Sequence, residues 1–209
     1  MNDSLNIFDT NDSQTDVAIP LERIVSQPPY DILVIDPPWD KRKGGLRKSR
    51  PNQDRKLNYE TLPTKEIFEL LDEQIFPLAS KTHTVFMWTI DEFLRECEDE
   101  MELRNYKRHA RMIWDKQNGI APAFTIRYTH EYLLWYYKPQ MLKIEKSMRG
   151  KFADLFSERA REHSRKPDIA YEIIDKLYPN MSKIDVFSRE PRTAFGQFGN
   201  EPNYYRRSG

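Results

Sequence analysis

The chain has 209 residues, of which 38% are hydrophobic and 32% charged, a composition typical of one globular domain. Its 33 basic and 33 acidic residues cancel to a net charge of zero, and its one cysteine excludes a disulfide framework and a multi-cysteine zinc site. No apolar run approaches the roughly 18 residues that a bilayer-spanning helix needs.

The zero net charge conceals a segregated distribution of charges along the chain. Residues 41–56 contain eight Lys and Arg against one acid, and residues 143–166 contain eight against four. Residues 91–102 contain seven acids and one arginine. A surface built from such segments can still present a strongly positive face to phosphate.

The first 16 residues are polar and aperiodic, and we expect them to form a disordered tail ahead of one folded domain over residues 17–209. This tail has four aspartates and no lysine or arginine, whereas a secretory signal needs basic residues and an apolar centre. We therefore expect a cytoplasmic protein.

The first predicted strand covers residues 30–36 and is stopped by Pro37 and Pro38. A long basic loop follows to Lys56, and loops of that length in compact domains tend to be functional. Pro63 then opens a predicted helix, residues 84–90 form a second strand, and a helix from Asp91 carries Phe93, Cys97 and Met101 four residues apart.

In the second half, residues 111–114 and 131–137 predict two further strands, separated by a loop over residues 118–122. Pro167 opens another helix, and residues 183–188 form the last predicted strand. Strands that alternate with helices predict an α/β sheet with helices on both faces. Because such sheets bind ligands beyond the carboxyl ends of their strands, we expect the chemistry at Asp36 and just after Tyr137 and Ser188.

The string Asp36-Pro37-Pro38-Trp39 follows the first strand directly, and two interpretations are open. It can terminate the strand, with the tryptophan folded back onto the core. Alternatively, the carboxylate and the proline carbonyls can accept hydrogen bonds while the indole offers a stacking surface. Together these groups would hold a planar heterocycle that bears an amino group.

Asp-Pro-Pro-Trp after a strand resembles motif IV of the amino-methyltransferases, and the surrounding sequence resembles their MT-A family. The resemblance runs from about Asp16 to Pro202, with the catalytic motif ahead of the cofactor-binding segment, a permuted order. Its further segments follow in family order: Tyr59 with Leu62, Glu66 and Ile67; residues 86–88; 113–116; 130–134; 164–168; 183–189; and Gly199-Asn200. The chain departs from the family at Glu201 and at Pro191 and Arg192, and its loop over residues 40–58 is longer and more basic.

The resemblance implies a Rossmann-like methyltransferase domain that transfers a methyl group from S-adenosylmethionine to the exocyclic amino group of adenine. Asp36, Pro37, Pro38 and Trp39 are the implied catalytic residues, and Tyr59 joins Trp39 in stacking on the base. No metal is implied. The resemblance assigns the cofactor contacts to Asp16, Val17, Asp36, Lys138, Arg189, Asn200 and Glu201.

Three of these cofactor residues also have a plainer interpretation. Asp16 lies at the edge of the predicted tail, Lys138 can be a solvated turn lysine before Pro139, and Arg189 can form a surface salt bridge. The basic loop, with Arg42, Lys43, Arg47 and Lys48, can be a solvated loop or a nuclear localisation patch, but we favour contacts to the phosphates of the target. Residues 143–166 are a second candidate for phosphate contacts, or else an amphipathic helix packed on the sheet.

The predicted substrate is adenine in nucleic acid, with DNA favoured over RNA because the short architecture resembles bacterial and phage members of the family. The protein could act as a homodimer or as a heterodimer with a related subunit. A non-catalytic nucleic-acid-binding subunit is a rival interpretation, although such a subunit would be expected to lack the Asp-Pro-Pro-Trp string. An amino-methyltransferase of small molecules or proteins is another, which the basic loop disfavours.

Overall fold

The computed structural model describes residues 27–40, 61–118, 126–162 and 165–199. Within these ranges the strands are β1 (Tyr30–Ile35), β2 (Ala79–Thr89), β3 (Lys107–Asp115), β4 (His130–Lys138), β5 (Leu155–Ser157), β6 (Lys183–Val186) and β7 (Gly196–Phe198). The helices are α1 (Thr64–Leu70), α2 (Leu94–Leu103) and α3 (Asp168–Leu177). Helix α1 continues through a π-helical turn (Leu71–Ile75) and a 3₁₀ turn (Phe76–Leu78). In these ranges no helix is long and apolar enough to cross a bilayer.

The strands form one mixed sheet in the order β5-β3-β4-β2-β1-β6-β7. Strand β1 pairs in parallel with β2 and β6, and β6 pairs in parallel with β7. Strand β4 runs antiparallel to both β2 and β3, while β3 and β5 are parallel. The carboxyl ends of the parallel strands therefore share one edge of the sheet with the amino end of β4, and we call this the carboxyl edge.

The predicted α/β sheet with helices on both faces is confirmed. Along β1, Leu33 and Ile35 pack with the buried side chains of α1 and α2, whereas Ile32 and Val34 pack with those of α3. This alternation follows from the two-residue period of a strand, and it explains why the central strand is apolar at nearly every position. Both helices that were predicted to open at a proline do so, α1 after Pro63 and α3 after Pro167.

Two strands were not predicted, β5 and β7. Each has three residues and lies at an edge of the sheet, so each has a neighbour on one side alone. Strands this short have too few side chains for the two-residue alternation of a strand to be recognised in the sequence. Strands β2, β3 and β4 were predicted, but each extends by at least one residue beyond the predicted bounds.

Candidate active site

The turn that follows β1 is fixed by backbone hydrogen bonds on both sides. The Asp36 amide donates to the Val186 carbonyl of β6 at 3.1 Å, which ties the end of β1 to the neighbouring strand. The Trp39 amide donates to the Pro37 carbonyl at 2.9 Å and closes a three-residue turn. The Leu62 amide donates to the Pro38 carbonyl, also at 2.9 Å. Asp36 is thus presented at the carboxyl edge by a backbone with little freedom.

Asp36 is the first member of a chain of alternating charges. The Lys166 ammonium, just before α3, lies 2.9 Å from Asp36 Oδ1 and 3.3 Å from a carboxylate oxygen of Glu131 on β4. The other oxygen of Glu131 lies 2.6 Å from Lys116, which follows β3. Two carboxylates and two ammonium groups from four segments therefore meet at the carboxyl edge, and we call them the charge chain.

Lys166 lies between the two carboxylates of the charge chain, and its side chain is 10% exposed. Burial by itself lowers the pKa of the Lys166 ammonium, but the charges of Asp36 and Glu131 outweigh this effect and raise the pKa above its ordinary value. Lys166 is therefore a fixed cation at neutral pH. Its ammonium also lies over the Trp88 ring, 5.5 Å from the ring centroid.

Trp39 packs into the core next to this site. Its ring is 5% exposed and stacks on Phe93, with centroids 5.3 Å apart and planes inclined by 12°. Its indole N–H donates to the Trp88 carbonyl at 3.2 Å. This is the core-packing arrangement that the sequence left open as one of two interpretations, and in it the indole presents little free surface to a base.

A cleft opens beside Asp36 between the segment before α3 and the turn after β6. It contains about 260 Å³ of free space, part of it open to solvent. Its lining carries both signs of charge, in Asp36, Arg165, Lys166, Tyr171, Asp185, Ser188, Arg189, Glu190 and Arg192. Arg165 forms an ion pair with Glu190, which links the two segments.

The floor of the cleft is a buried cluster around Asp185 on β6. Tyr171 donates its hydroxyl hydrogen to Asp185 at 3.2 Å, and the Arg192 guanidinium lies over the Tyr171 ring, 3.5 Å from its centroid. Arg192 also lies 3.4 Å from a carboxylate oxygen of Asp185. Burial raises the pKa of Asp185 to about 6, although Arg192 and the hydrogen bonds from Ser188 and Tyr171 act in the opposite direction.

The turn after β6 has an unusual backbone. Phe187 adopts a φ of 61°, in the left-handed region that L-residues with side chains seldom occupy. Gly199 packs directly against this turn, since a Cβ there would lie 3.1 Å from the Cα of Phe187 and 3.2 Å from the amide nitrogen of Ser188. The end of β7 thus holds the turn that carries Ser188 and Arg189 into the cleft.

Comparison with known proteins identifies the family. A family model described as MT-A70 matches residues 30–201, most of the chain. The chain belongs to the MT-A70 family, a family of methyltransferases.

Relatives in this family differ widely in length. The chain is 26% identical to a rice protein (Oryza sativa subsp. japonica) named probable N(6)-adenosine-methyltransferase MT-A70-like, over 85% of this chain and 24% of that protein. It is 26% identical to the zebrafish (Danio rerio) N(6)-adenosine-methyltransferase subunit METTL3, over 77% of this chain and 25% of that protein. It is 24% identical to the type II methyltransferase M.MunI of a Mycoplasma species, over 87% of this chain and 83% of that protein. The chain thus spans about a quarter of the length of the plant and animal relatives.

Among the residues that the resemblance assigned, Asp36 and Arg189 line the cleft, Pro37 and Pro38 follow Asp36 in its turn, and Trp39 packs into the core on the α1 and α2 side of the sheet. The remaining assigned residues, except Lys138, lie outside the described residues: Asp16, Val17, Tyr59, Asn200 and Glu201. Arg42, Lys43, Arg47 and Lys48, which the charge of the basic loop singled out, also lie outside them.

The expectation that the segment after Tyr137 joins the ligand edge is wrong, because β4 is antiparallel. In the sheet, Leu134 pairs with Met87, which in turn pairs with Ile35, whereas Lys138 pairs with His83. Four residues of strand place Lys138 about 13 Å farther along the sheet, toward the edge opposite Asp36. There its ammonium donates to the Arg104 carbonyl at 2.8 Å.

No role was predicted for Lys166, Glu131 or Lys116, although all three lie within segments that resemble the MT-A70 family. A lysine that directly precedes a helix-opening proline in a basic stretch is typical of a solvent-exposed side chain. The local sequence does not indicate that this one is buried. The family resemblance of residues 164–168 was the available signal. It did not indicate which residue of that segment reaches Asp36.

Proposed function

We propose that this protein transfers the methyl group of S-adenosylmethionine to the N6 amino group of adenine in nucleic acid, with DNA as the favoured substrate. The observation that carries this proposal is the position of Asp36. In a member of the MT-A70 family, the aspartate of the Asp-Pro-Pro-Trp turn lines a polar cleft at the carboxyl edge and is held by a buried lysine.

The proposed chemistry suits the groups in this turn. The amino nitrogen of adenine is a poor nucleophile because its lone pair is delocalised into the ring. Hydrogen bonds from its two N–H groups to Asp36 and to the Pro37 carbonyl would draw the nitrogen toward tetrahedral geometry and free the lone pair. The Pro37 carbonyl already accepts from the Trp39 amide, and its second lone pair can accept another hydrogen bond.

Lys166 would act by fixing Asp36. Its ammonium balances the charge of the carboxylate and sets its orientation, and Glu131 in turn holds the ammonium. A preorganised acceptor of this kind is how a site lowers a barrier through positioning and electrostatics. The remaining lone pairs of the Asp36 carboxylate keep capacity for an N–H of the base.

The donor set of the cleft fits S-adenosylmethionine. Its methionine part bears a carboxylate and an ammonium, and its ribose bears hydroxyl groups. Lys166, Arg189 and Arg192 would hold the carboxylate and hydroxyl groups, and Asp185 and Glu190 would accept from the ammonium or the hydroxyls. When bound, this cofactor would supply an activated methyl group on a sulfonium and would leave as S-adenosylhomocysteine. The N6 nitrogen that gains the methyl group would give up one proton, to Asp36 or to solvent.

DNA is favoured because this chain covers 83% of a type II methyltransferase, a class that acts on DNA. RNA is the alternative, because several relatives are named adenosine methyltransferases, although this chain covers only 24% of the rice protein. The same site chemistry serves either polymer. An adenine within a duplex would have to be flipped out of its stack to reach Asp36.

The test is a methyl-transfer assay with labelled S-adenosylmethionine and equal amounts of duplex DNA, single-stranded DNA and RNA. After digestion to nucleosides, we expect label in N6-methyladenine, mainly from DNA. Asp36→Asn should strongly reduce the label, because the amide keeps one acceptor oxygen but loses the negative charge and places an N–H donor beside the Lys166 ammonium or the base. Asp99→Asn, at an exposed aspartate of α2, is the matched control and should retain full activity.

Two outcomes would contradict the proposal. Label in another nucleoside, or in added protein alone, would assign the chemistry to a different substrate. Tight binding of nucleic acid without label in any of the three polymers, and without binding of S-adenosylhomocysteine, would favour the non-catalytic subunit.

A further inference from the structure

Beyond the active site, a second charged feature lies on the α3 face of the sheet. The segment from Met141 to Arg161 joins β4 to the approach to α3 and includes β5. It carries Lys143, Lys146, Arg149, Lys151 and Arg159, all exposed, and we call these five residues the basic surface.

The segment is held firmly by its apolar residues. Ile144, Met148 and Phe152 pack against the core cluster beneath α3, as do Met141, Leu142 and Ala160. The Glu145 amide also donates to the Leu177 carbonyl at the end of α3, at 2.8 Å. Because apolar residues point inward between the cations, the cations are directed to solvent from a fixed backbone.

This arrangement answers a question that the sequence left open. Residues 143–166 could have formed an amphipathic helix, but within residues 143–162 the sole helical turn is the 3₁₀ turn Lys146–Met148. The apolar residues do pack on the sheet, as that interpretation required. The packing and the exposed cations therefore coexist in one extended segment.

The cations of the basic surface differ from most others in the described part of the chain. Arg104, Arg108 and Arg111 each form ion pairs with carboxylates, and so do Arg161 and Arg165. Among the described residues, the basic surface has no carboxylate partner within ion-pair distance. Two of the nearby carboxylates are engaged elsewhere, since Glu145 accepts from the Ser147 amide and Glu158 accepts from the amides of Asp168 and Ile169.

The basic surface leads toward the active site. Glu158, next to Arg159, binds the amides at the start of α3, two residues after Lys166. Lys166 in turn contacts Asp36. The Arg159 end of the basic surface thus lies near the carboxyl edge, whereas its Lys143 end lies beside the last residue of α3, and a polyanion that follows the whole segment would connect the two.

We propose that the basic surface binds the phosphate backbone of the nucleic acid whose adenine is methylated. This inference rests on the proposed function and adds where the polymer docks. Exposed cations without carboxylate partners gain most from contact with phosphate, because each contact releases condensed counterions and no internal ion pair must be broken. The contacts carry no base information and would position any sequence.

The experiment compares two quadruple variants that remove the same charge. Lys143→Gln, Lys146→Gln, Arg149→Gln and Lys151→Gln together neutralise the basic surface. The matched control neutralises four cations elsewhere: Lys65→Gln, Lys81→Gln, Lys107→Gln and Lys176→Gln. All eight residues are exposed, so both proteins should fold, which circular dichroism checks.

Binding of a fluorescent adenine-containing duplex is measured by anisotropy at several KCl concentrations. We expect the slope of log affinity against log salt to become shallower by about 3.6 for the basic-surface variant, since each of its four lost phosphate contacts contributes about 0.9. Affinity at low salt should fall at least about tenfold below that of the control variant. Asp36→Asn should leave the slope unchanged, which separates docking from chemistry.

Three results would overturn the inference. The two quadruple variants could have equal slopes, in which case the contacts lie elsewhere, and methyl transfer by the unaltered enzyme would still support the proposed function. Unaltered protein could fail to bind duplex, single strand or RNA at low salt. Finally, phosphatidylserine vesicles could bind through these residues while nucleic acid does not, which would assign the surface to a membrane.

Discussion

Lys166 lies 2.9 Å from Asp36, and this contact joins the segment before α3 to the turn after β1. The two residues come from distant parts of the chain, and the parallel pairing of β1 with β6 brings their segments to the same edge. Lys166 is also shared with Glu131, so removing the lysine would take away the cation that lies between the Asp36 and Glu131 carboxylates, although Glu131 keeps its contact with Lys116.

Replacing Lys166 with Met should therefore damage both stability and activity. We expect a loss of about 3–5 kcal/mol in the free energy of unfolding, the usual cost of breaking a buried pair on one side. Methyl transfer should fall at least about 100-fold, because the acceptor for the base loses its orientation. Urea denaturation and single-turnover assays measure the two effects.

Lys138→Met is the matched control for that change. It removes a hydrogen bond to a carbonyl at the opposite edge, so we expect a loss of about 1 kcal/mol and unchanged affinity for S-adenosylhomocysteine. If Lys138→Met weakened that affinity and Lys166→Met did not, the site would have been placed at the wrong edge of the sheet.

Stability should depend on the protonation of Asp185. Its pKa is raised from the ordinary 3.8 to about 6 in the folded protein, chiefly by burial. The folded state therefore binds this proton more tightly than the unfolded state, so the stabilisation is full below pH 4 and is lost as the pH rises through 6. Two pKa units correspond to about 3 kcal/mol.

Asp185→Asn tests this prediction, because asparagine does not titrate. The difference in unfolding free energy between the unaltered protein and the variant should change by about 2–3 kcal/mol between pH 4 and pH 7. Asp99→Asn should show no such change. A constant difference across this range would mean that Asp185 is ionised throughout.

The packing of Trp39 predicts a structural effect of its replacement. Trp39→Leu removes the stack on Phe93 and the hydrogen bond to the Trp88 carbonyl, and we expect a loss of about 2–4 kcal/mol. Phe93→Leu removes the other ring of the same stack but keeps the hydrogen bond of Trp39. It should therefore lower the free energy of unfolding by the part of this loss that comes from the stack. Both variants, assayed where they remain folded, should bind nucleic acid within about threefold of the unaltered protein. A tenfold weakening for Trp39→Leu alone would show that the indole leaves its pocket to meet the base.

Gly199 should not tolerate a side chain. A Cβ would meet backbone atoms of Phe187 and Ser188 at 3.1–3.2 Å, and backbone cannot move aside as a flexible side chain can. We expect Gly199→Ala to cost about 1–3 kcal/mol. It should also weaken binding of S-adenosylhomocysteine, measured by calorimetry, because Ser188 and Arg189 are carried by the same turn. Stability and affinity equal to those of the unaltered protein would show that the turn adapts.

Much of the fold could be predicted because local patterns specify it. The apolar run of β1, the prolines before α1 and α3 and the spacing of Cys97 and Met101 each reflect a period or a backbone restriction that acts within a few residues. The Asp-Pro-Pro-Trp string likewise marked the end of β1. Strands β5 and β7 were missed because three residues at an edge are defined by their partners and not by their own pattern.

The sequence by itself therefore determined the alternation of strands and helices, the family and the position of the Asp-Pro-Pro-Trp turn at the end of β1. The tertiary structure alone decided the direction of β4, and with it that Glu131 lies at the carboxyl edge while Lys138 lies toward the opposite one. It also decided that Lys166 is buried against Asp36 while Lys143 and Lys146 remain exposed. These lysines look alike in sequence, and what separates them is desolvation and distance to carboxylates from other strands, which exist only once the chain has folded.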